Sequence, residues 1–287
     1  MKRIGIIGGS AFYKIENAKI SARKSVTTPF GKPSGKLVVA KMCGQNVVFI
    51  PRHGEAHTIL PSEVNSRANI YALKKLGCDA VISVSAVGSL KEELKPLDIV
   101  LCNQFIDRTN QARKMTFFGD GMVAHIPFGE PVCTSLRNLI YDTNKNSGIT
   151  LRNGGTYINM EGPAFSTKAE SNLYRSWGVD VIGMTNLSEA KLAREAGMCY
   201  ATIAMVTDYD CWYEHPDFAT VTVDIIIENL NKNVMHAKKM LTNTLENIGK
   251  MGPCDCCNAL RTSIVTRKEN IPAKTLKKLK PIIEGFI

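Results

Sequence analysis

No apolar run in the 287 residues approaches the roughly 18 consecutive positions that a membrane-spanning helix needs. The charged and then apolar start, Met1-Lys2-Arg3-Ile4-Gly5, is cut short by Gly8-Gly9-Ser10. A secretory signal is therefore not expected, and a cytoplasmic location is. The chain shows no internal repeat and no low-complexity linker, which argues against a solenoid or a tethered array. Its first glycines fail the spacing of both the dinucleotide fingerprint and the P-loop. Aromatics are sparse at 7%, and the basic stretch from Arg267 to Lys280 has none before Phe286. A single-strand nucleic-acid binder interleaves aromatics with its cations for base stacking. The net charge of +10 is thus read as a solvated helix face in the tail and as a field that collects anionic substrates. Histidines number five, and none lies near Cys254-Asp255-Cys256-Cys257. That thiol cluster lacks a fourth zinc ligand of suitable spacing, so no metal is expected and a structural disulfide stays open. Cys43, Cys78, Cys102 and Cys199 sit singly in apolar runs and read as small buried hydrophobes.

What is present is an alternation of strands and helices, the pattern of one α/β domain around a central sheet flanked by helices. Arg3 to Ile7 reads as a first strand ending in Gly8-Gly9-Ser10, a turn able to offer N–H groups and a hydroxyl to an anion. Leu37–Met42 and Val47–Ile50 read as a hairpin whose second strand runs into Pro51-Arg52-His53-Gly54. Arg forks onto phosphate, so Arg52 beside His53 is a candidate oxyanion clamp. Ser62 is expected to cap a helix stopped by Gly77; Ala80–Val84 is a fully apolar strand ending in Ser85-Ala86-Val87-Gly88-Ser89. Asp98–Phe105 reads as another strand. From Asp107 to Asn153 periodicity fades, except for a helix near Ser135–Lys145. Asn159-Met-Glu161-Gly-Pro-Ala-Phe165-Ser166-Thr167 precedes a helix with Thr167 and Glu170 set as a capping box. Val179–Met184 is a strand ending at Thr185, and Ser188–Ala196 a helix. An amphipathic helix runs from Ile225 to Gly249. Residues 1–287 form a single domain in this reading, with 252–287 a helical extension.

Ala204-Met-Val-Thr-Asp-Tyr-Asp-Cys-Trp212 closes the apolar run from Cys199 to Val206, which suits a buried strand. Continued extension would turn Asp208 and Asp210 to the same side, at a strand end where open α/β sheets bind ligands. A carboxyl desolvated beside a second anion holds a proton near neutral pH and can serve as a general acid. The other readings are a metal site or two acids that merely solvate the strand end.

Taken together, Gly8-Gly9-Ser10, Arg52-His53, Ser85-Ala86, Glu161-Gly-Pro-Ala-Phe165, Met184-Thr185 and Thr207-Asp-Tyr-Asp210 closely resemble the motifs of the trimeric purine nucleoside phosphorylase family, in the same order from about residue 3 to 250. The resemblance implies a phosphate site of Ser10, Arg52, His53, Ser85, the Ala86 N–H and Thr185. It implies catalysis by Asp208, donating to purine N7, with Asp210 accepting from the exocyclic amine. Phe165 would stack on the base and Met184 pack under the ribose. Inorganic phosphate would be a co-substrate and no cofactor would be needed. His125 matches a position that reaches the 5′ group in a neighbouring subunit, which implies a homotrimer or a hexamer. Ser85 stands where human-like members carry Thr, keeping the hydroxyl. Gly183 replaces an Asn beside Met184 and would loosen that loop. Cys254-x-Cys256 is similar to pairs in archaeal thermophilic members, which leads to an expected Cys254–Cys256 bridge and a Cys133–Cys199 pair.

Three positions separate substrate types within the resemblance. In the 6-oxopurine branch the positions matching Ser166, Asp208 and Val223 are Glu, Asn and His. Here all three are of the methylthioadenosine type, with Val223 an apolar wall for a methylthio group. The alternatives are a phosphorylase of broad purine specificity and, from another class, a nucleoside sensor. A sensor has no use for Arg52, His53 and Thr185 together.

Overall fold

The computed structural model describes residues 3–9, 18–110, 112–214 and 223–287, with side chains in the last segment from residue 227 onward. Ser10 lies outside the described residues, as does the side chain of Val223.

The sheet is built on β5 (Ala80–Ser89), with β1 (Ile4–Gly8) and β11 (Cys199–Asp208) parallel on either edge. β11 is buried at every residue but its last, Asp208, as expected of a parallel strand covered on both faces. Burying each Val, Leu or Ile in such strands contributes about 1.5–3 kcal/mol. β1 continues through β4 (Gln45–Pro51) to β3 (Leu37–Met42) and the edge strand β2 (Lys19–Lys24). The β3–β4 hairpin turns on Cys43 and Gly44, both at positive φ (49° and 77°), the geometry of a two-residue hairpin loop.

Midway, β5 changes partner. Ala80–Ser83 pair with β1, whereas Gly88 and Ser89 pair antiparallel with β10 (Val181–Gly183). β10 leads on to β9 (Thr156–Met160) and β7 (Gln104–Arg108). Across the other edge, β11 pairs with β6 (Ile99–Leu101), and β6 with β8 (Leu151–Asn153). Val84–Val87 therefore have a strand on one edge only among the described residues. Splayed strand ends of this kind open a crevice at the carboxyl end of a sheet.

Helices cover the faces. α1 (Ser66–Lys75) is capped by Asn65, whose side chain accepts from the Ala68 N–H, so the expected cap at Ser62 is corrected: Pro61–Glu63 form a separate single turn. α2 (Thr134–Asn144) starts after Cys133, and α3 (Lys168–Ser176) carries the expected Thr167–Glu170 capping box. α4 (Asn186–Glu195) begins right after Thr185. α5 (Val223–Glu246) lies along β11 and donates from Asn233 to the Val206 carbonyl (2.7 Å) and from Asn229 to that of Thr207 (2.8 Å). These two amides bond carbonyls near the strand's end, Val206 sharing its carbonyl with the Leu97 N–H (2.9 Å). α6 (Ala273–Ile283) buries Thr275, Leu279, Ile282 and Ile283 against the core while Lys274, Lys277 and Lys280 face outward, as a solvated basic face should. No helix among the described residues is long and apolar enough to cross a membrane.

Cysteine pairing differs from expectation. All nine cysteines are free, so neither Cys254–Cys256 nor Cys133–Cys199 is a disulfide. Cys199, read as core filler, instead has its sulfur 3.3 Å from that of Cys254. The reason is tertiary: three distant segments meet at one point, which no spacing along the chain reveals.

Candidate active site

A cavity of about 300 Å³ opens where β5 changes partner. It is reached by the ends of β4, β5, β10 and β11, and by residues of α5. Of the residues singled out from sequence, Arg52, His53, Ser85, Ala86, Phe165, Met184, Thr185, Asp208 and Asp210 all line it.

One side is built on Arg52, which is 2% exposed. Its Nε donates to Glu189 Oε1 (2.6 Å), Nη2 to Glu189 Oε2 (3.3 Å) and to Ser83 Oγ (2.6 Å), and Nη1 to the Val84 carbonyl (2.9 Å). Burial would lower the Arg52 pKa, but the charge and hydrogen bonds of Glu189 more than offset it and hold it up. Four of the five guanidinium N–H groups are thus spent on the protein, leaving one for an anion. Ser83 Oγ and Tyr200 Oη donate to Glu189 as well, and Asn186 bonds Ser83, Tyr200 and Thr202. The network ties β4, β5, α4 and β11 together. Near it, Ser85 Oγ is buried without a partner among the described residues, and Thr185, itself buried, stands at the amino end of α4. A free hydroxyl, a helix amino terminus and a cation are the donors an oxyanion requires.

His53 differs from the simple clamp donor. Its Nδ1 lies 2.9 Å from the Ile59 carbonyl, which must accept, and its ring stacks on His57 at 4.6 Å. Burial, reinforced by the Arg52 charge, pushes its pKa down to about 4. The ring is therefore neutral at physiological pH, with Nδ1 as donor and Nε2 as acceptor.

On the other side stand the two carboxylates. They do not share a face through continued extension. β11 ends at Asp208 after a register shift, and Asp210 takes a left-handed φ of 53° in a single helical turn, Asp210–Trp212. That turn is held by Trp212, whose Nε1 donates to the Ser89 carbonyl (2.8 Å) while Arg175 stacks on its ring at 3.6 Å. The Asp210 N–H donates to Asp208 Oδ1 (2.8 Å). Burial pushes the Asp208 carboxyl up, and the Asp210 charge adds to this, against hydrogen bonds from Thr207 and the Asp210 N–H. The Thr207 hydroxyl lies between Asp208 Oδ2 (2.7 Å) and the Val87 carbonyl (3.2 Å). With one proton to give, it donates to Asp208 when that group is ionised and to Val87 when Asp208 is protonated, so both states are accommodated. Burial also raises Asp210, against the lowering effect of the Ser171 and Ser166 hydroxyls and the Cys211 N–H, and its Oδ2 has no hydrogen-bond partner among the described residues. Gly88 makes this packing possible: a Cβ there would stand 3.1 Å from Asp208 Oδ1 and 3.3 Å from Asp210 Cβ.

Phe165 is 57% exposed at the cavity rim, free to cover a flat ligand. Ser166 is buried, its Oγ directed at Met160 Sδ (3.8 Å). Met184 packs on Gly162, where a Cβ would meet its sulfur at 2.5 Å. Gly183 does not loosen this loop: the Tyr157 ring fills the place of a side chain, its hydroxyl 2.0 Å from where a Cβ would be. His125 is exposed and absent from the cavity lining, with its N–H bonded to the Ser263 carbonyl (2.9 Å).

Sequence reasoning missed Met160, Leu230 and Val234, which give the cavity apolar walls, and Arg113. The apolar face of α5 was visible as a periodicity; which part of it turns to the cavity was not. Arg113 pairs with Glu161 (2.9 Å) and also donates to the Glu161 and Met184 carbonyls, joining the 112–118 loop to the cavity floor. It lies in a stretch without periodicity and carries no local signal.

One cavity thus gathers the donors that suit an oxyanion and a buried pair of carboxyls. The chain matches the Phosphorylase superfamily over residues 3–246 and belongs to that family. Among named relatives, it is 53% identical to the S-methyl-5′-thioadenosine phosphorylase of Geobacter sulfurreducens over 99% of both chains. It is 54% identical to that of Koribacter versatilis over 99% of this chain and 96% of the relative. A crystal structure of methylthioadenosine phosphorylase from an antarctic soil metagenomic library superposes with a TM-score of 0.90 at 44% identity, covering 97% of this chain and 98% of that one. A mutant of adenosine/methylthioadenosine phosphorylase from Schistosoma mansoni, in complex with methylthioadenosine, superposes at 0.83 with 38% identity over 90% and 96%.

Proposed function

We infer that this protein is a pentosyltransferase that cleaves 5′-deoxy-5′-methylthioadenosine with inorganic phosphate, giving adenine and 5-methylthioribose 1-phosphate. The observation that carries the reading is the convergence, on one 300 Å³ cavity, of the Arg52–Ser85–Thr185 donor group and the buried Asp208–Asp210 carboxyls, with burial raising the Asp208 pKa. Phosphate held by the remaining Arg52 N–H, Ser85 Oγ, the Ala86 N–H, Thr185 and Ser10 attacks C1′ from the face opposite the base. As the C1′–N9 bond lengthens, its electron pair passes into the purine, and Asp208 delivers a proton to N7. Asp210, through its unpartnered Oδ2, accepts from the 6-amino group. The phosphate charge stabilises the cationic sugar, so positioning and electrostatics carry the reaction and no cofactor is required. Neutral His53 accepts, through Nε2, a hydrogen bond from an O–H of phosphate or sugar.

Specificity for a 5′-methylthio group rests on the apolar stripe of α5. Leu230 and Val234 give the cavity its apolar wall; Val223, assigned the same role from the sequence, opens the helix with its side chain outside the described residues. Buried Ser166 leaves room beside Asp210 without adding the carboxylate that a 6-oxopurine calls for. His125, exposed and outside the cavity, supports a site completed by a neighbouring subunit, hence a homotrimer or a dimer of trimers, in the cytoplasm.

The test is adenine release from methylthioadenosine with and without phosphate, with inosine run in parallel. Phosphate-dependent release, far faster than inosine cleavage, is expected. Release independent of phosphate, or inosine as the better substrate, would overturn the reading.

A further inference from the structure

At the opposite end of β11 from the carboxylates, Cys133, Cys199, Cys254 and Cys256 converge, with all four sulfurs within 4.8 Å of one another. Cys133, Cys199 and Cys256 are buried and Cys254 half-buried. Zinc bound by four thiolates at about 2.3 Å has its sulfurs at the corners of a tetrahedron of edge about 3.8 Å. The 3.3 Å separation of the Cys199 and Cys254 sulfurs and the 4.8 Å upper bound bracket that edge.

Backbone contacts assemble the cluster without help from the thiols. The Cys133 N–H donates to the Tyr200 carbonyl (2.8 Å), which sets Cys133 beside the second residue of β11, next to Cys199. Ser135 Oγ donates to the Pro253 carbonyl (2.6 Å) and brings in the loop that carries Cys254 and Cys256. Gly197, at a φ of 61°, lets that loop approach closely: a Cβ there would lie 3.3 Å from the Cys257 carbonyl oxygen. Four thiolates around a divalent cation leave a double negative charge. Cys133 sits at the amino terminus of α2, where the helix dipole favours an anion, and Arg194 lines a second, surface cavity together with Cys133, Cys254 and Cys256. A dedicated soft-ligand set, preassembled with its sulfurs in mutual reach, is what separates a metal site from core cysteines.

We propose that Cys133, Cys199, Cys254 and Cys256 form a structural site for a thiophilic divalent cation, zinc, which fastens the 252–287 segment to the start of β11. The fourth ligand that the Cys254–Cys257 stretch lacks on its own is supplied by the fold, from Cys133 and Cys199. Binding is not redox chemistry: each thiol that ligates loses its proton to solvent, and the cation gains four sulfur bonds. The ten residues of β11 separate this site from the acid end by about 30 Å, at about 3.3 Å per residue. Its role is thus structural, independent of the nucleoside chemistry.

The experiment uses the full chain, purified and kept under reductant that does not chelate metal. Elemental analysis should find about one zinc per chain, as a four-cysteine site binds. Replacing it with Co²⁺ should give sulfur-to-cobalt charge transfer in the near ultraviolet and strong tetrahedral ligand-field bands in the red. Cys254→Ser and Cys199→Ser should lose most of the metal and weaken those bands, whereas Cys257→Ser should keep both. Phosphorolysis by the variants at low temperature should stay within about twofold of the parent. Fully reduced wild-type protein that takes up neither Zn²⁺ nor Co²⁺ would overturn the proposal without any variant. So would a cobalt spectrum unchanged by Cys199→Ser, or protein whose four cysteines are found as two disulfides and bind no metal once reduced.

Discussion

β11 meets opposite demands at its two ends. At its carboxyl end, Asp208 and the turn to Asp210 keep polar atoms deliberately short of partners: Asp210 Oδ2 and, across the cavity, Ser85 Oγ are buried and unbonded. At its amino end, Cys199 joins three other thiols in contacts that close on themselves. Between them lies the buried Arg52–Glu189 network, in which nearly every donor is spent. A buried polar atom without a partner costs about 1–3 kcal/mol. That cost is tolerated where a ligand will supply the bond, and the network beside it, whose donors are nearly all spent, keeps those atoms in position.

The comparison is broken most severely at the acid. Asp208→Asn keeps size and packing but has no proton to give, and should slow methylthioadenosine cleavage by about 10²–10⁴-fold, the worth of a positioned general acid. Because the Asp208 pKa is raised, its acid form is present below that value and is lost as pH rises through it. Wild-type kcat should fall on that alkaline limb, and the Asn variant should lack the limb. Wild-type activity in Asp208→Asn would remove the assignment. Adding Val223→His should then raise the ratio of inosine to methylthioadenosine kcat/KM above that of wild type.

Next in size is the middle of the strand. Glu189→Ala leaves Arg52 buried without its counter-charge and should cost about 3–5 kcal/mol of stability, as breaking one half of a buried pair does. Denaturant unfolding measures this, and a loss below about 1 kcal/mol would mean that water reaches the guanidinium.

The smallest effect belongs to the thiol end. Gly197→Ala forces a left-handed residue to carry a Cβ and crowds the Cys257 carbonyl. A drop of about 1–2 kcal/mol is expected, with kcat/KM unchanged when assayed well below the melting temperature. A loss of activity equal to that of Asp208→Asn would show that the two ends are not separable.

Much of this was legible in the chain itself because local rules and tertiary demands agreed. The Thr167–Glu170 capping box, the Leu37–Met42 strand and the apolar run of β11 appear where periodicity and capping put them. The site was legible because its residues cluster at strand ends in short, distinctive runs. What failed did so for physical reasons. Pairing Asp208 with Asp210 by alternation could not foresee a left-handed Asp210, since the turn is fixed by Trp212 bonding to Ser89 far away in sequence. β2 and β8 are exposed or short and carry no alternation to detect. The single span Asp98–Phe105 resolves into β6 and β7, which lie in different parts of the sheet. Gly183 read as slack because the Tyr157 ring that fills its place comes from another strand.

α5 carries two stripes side by side. Asn229 and Asn233 grip the last carbonyls of β11, and Leu230 and Val234, one position further along the helix, wall the cavity. The helix is therefore a lever with substrate on one arm and the acid's strand on the other. A substitution that makes room for a bulkier 5′ group by tilting α5 also shifts the peptide bonds that carry Asp208. Selection for a new substrate would then move turnover together with affinity, so lineages that change specificity through this helix must re-seat their acid as well.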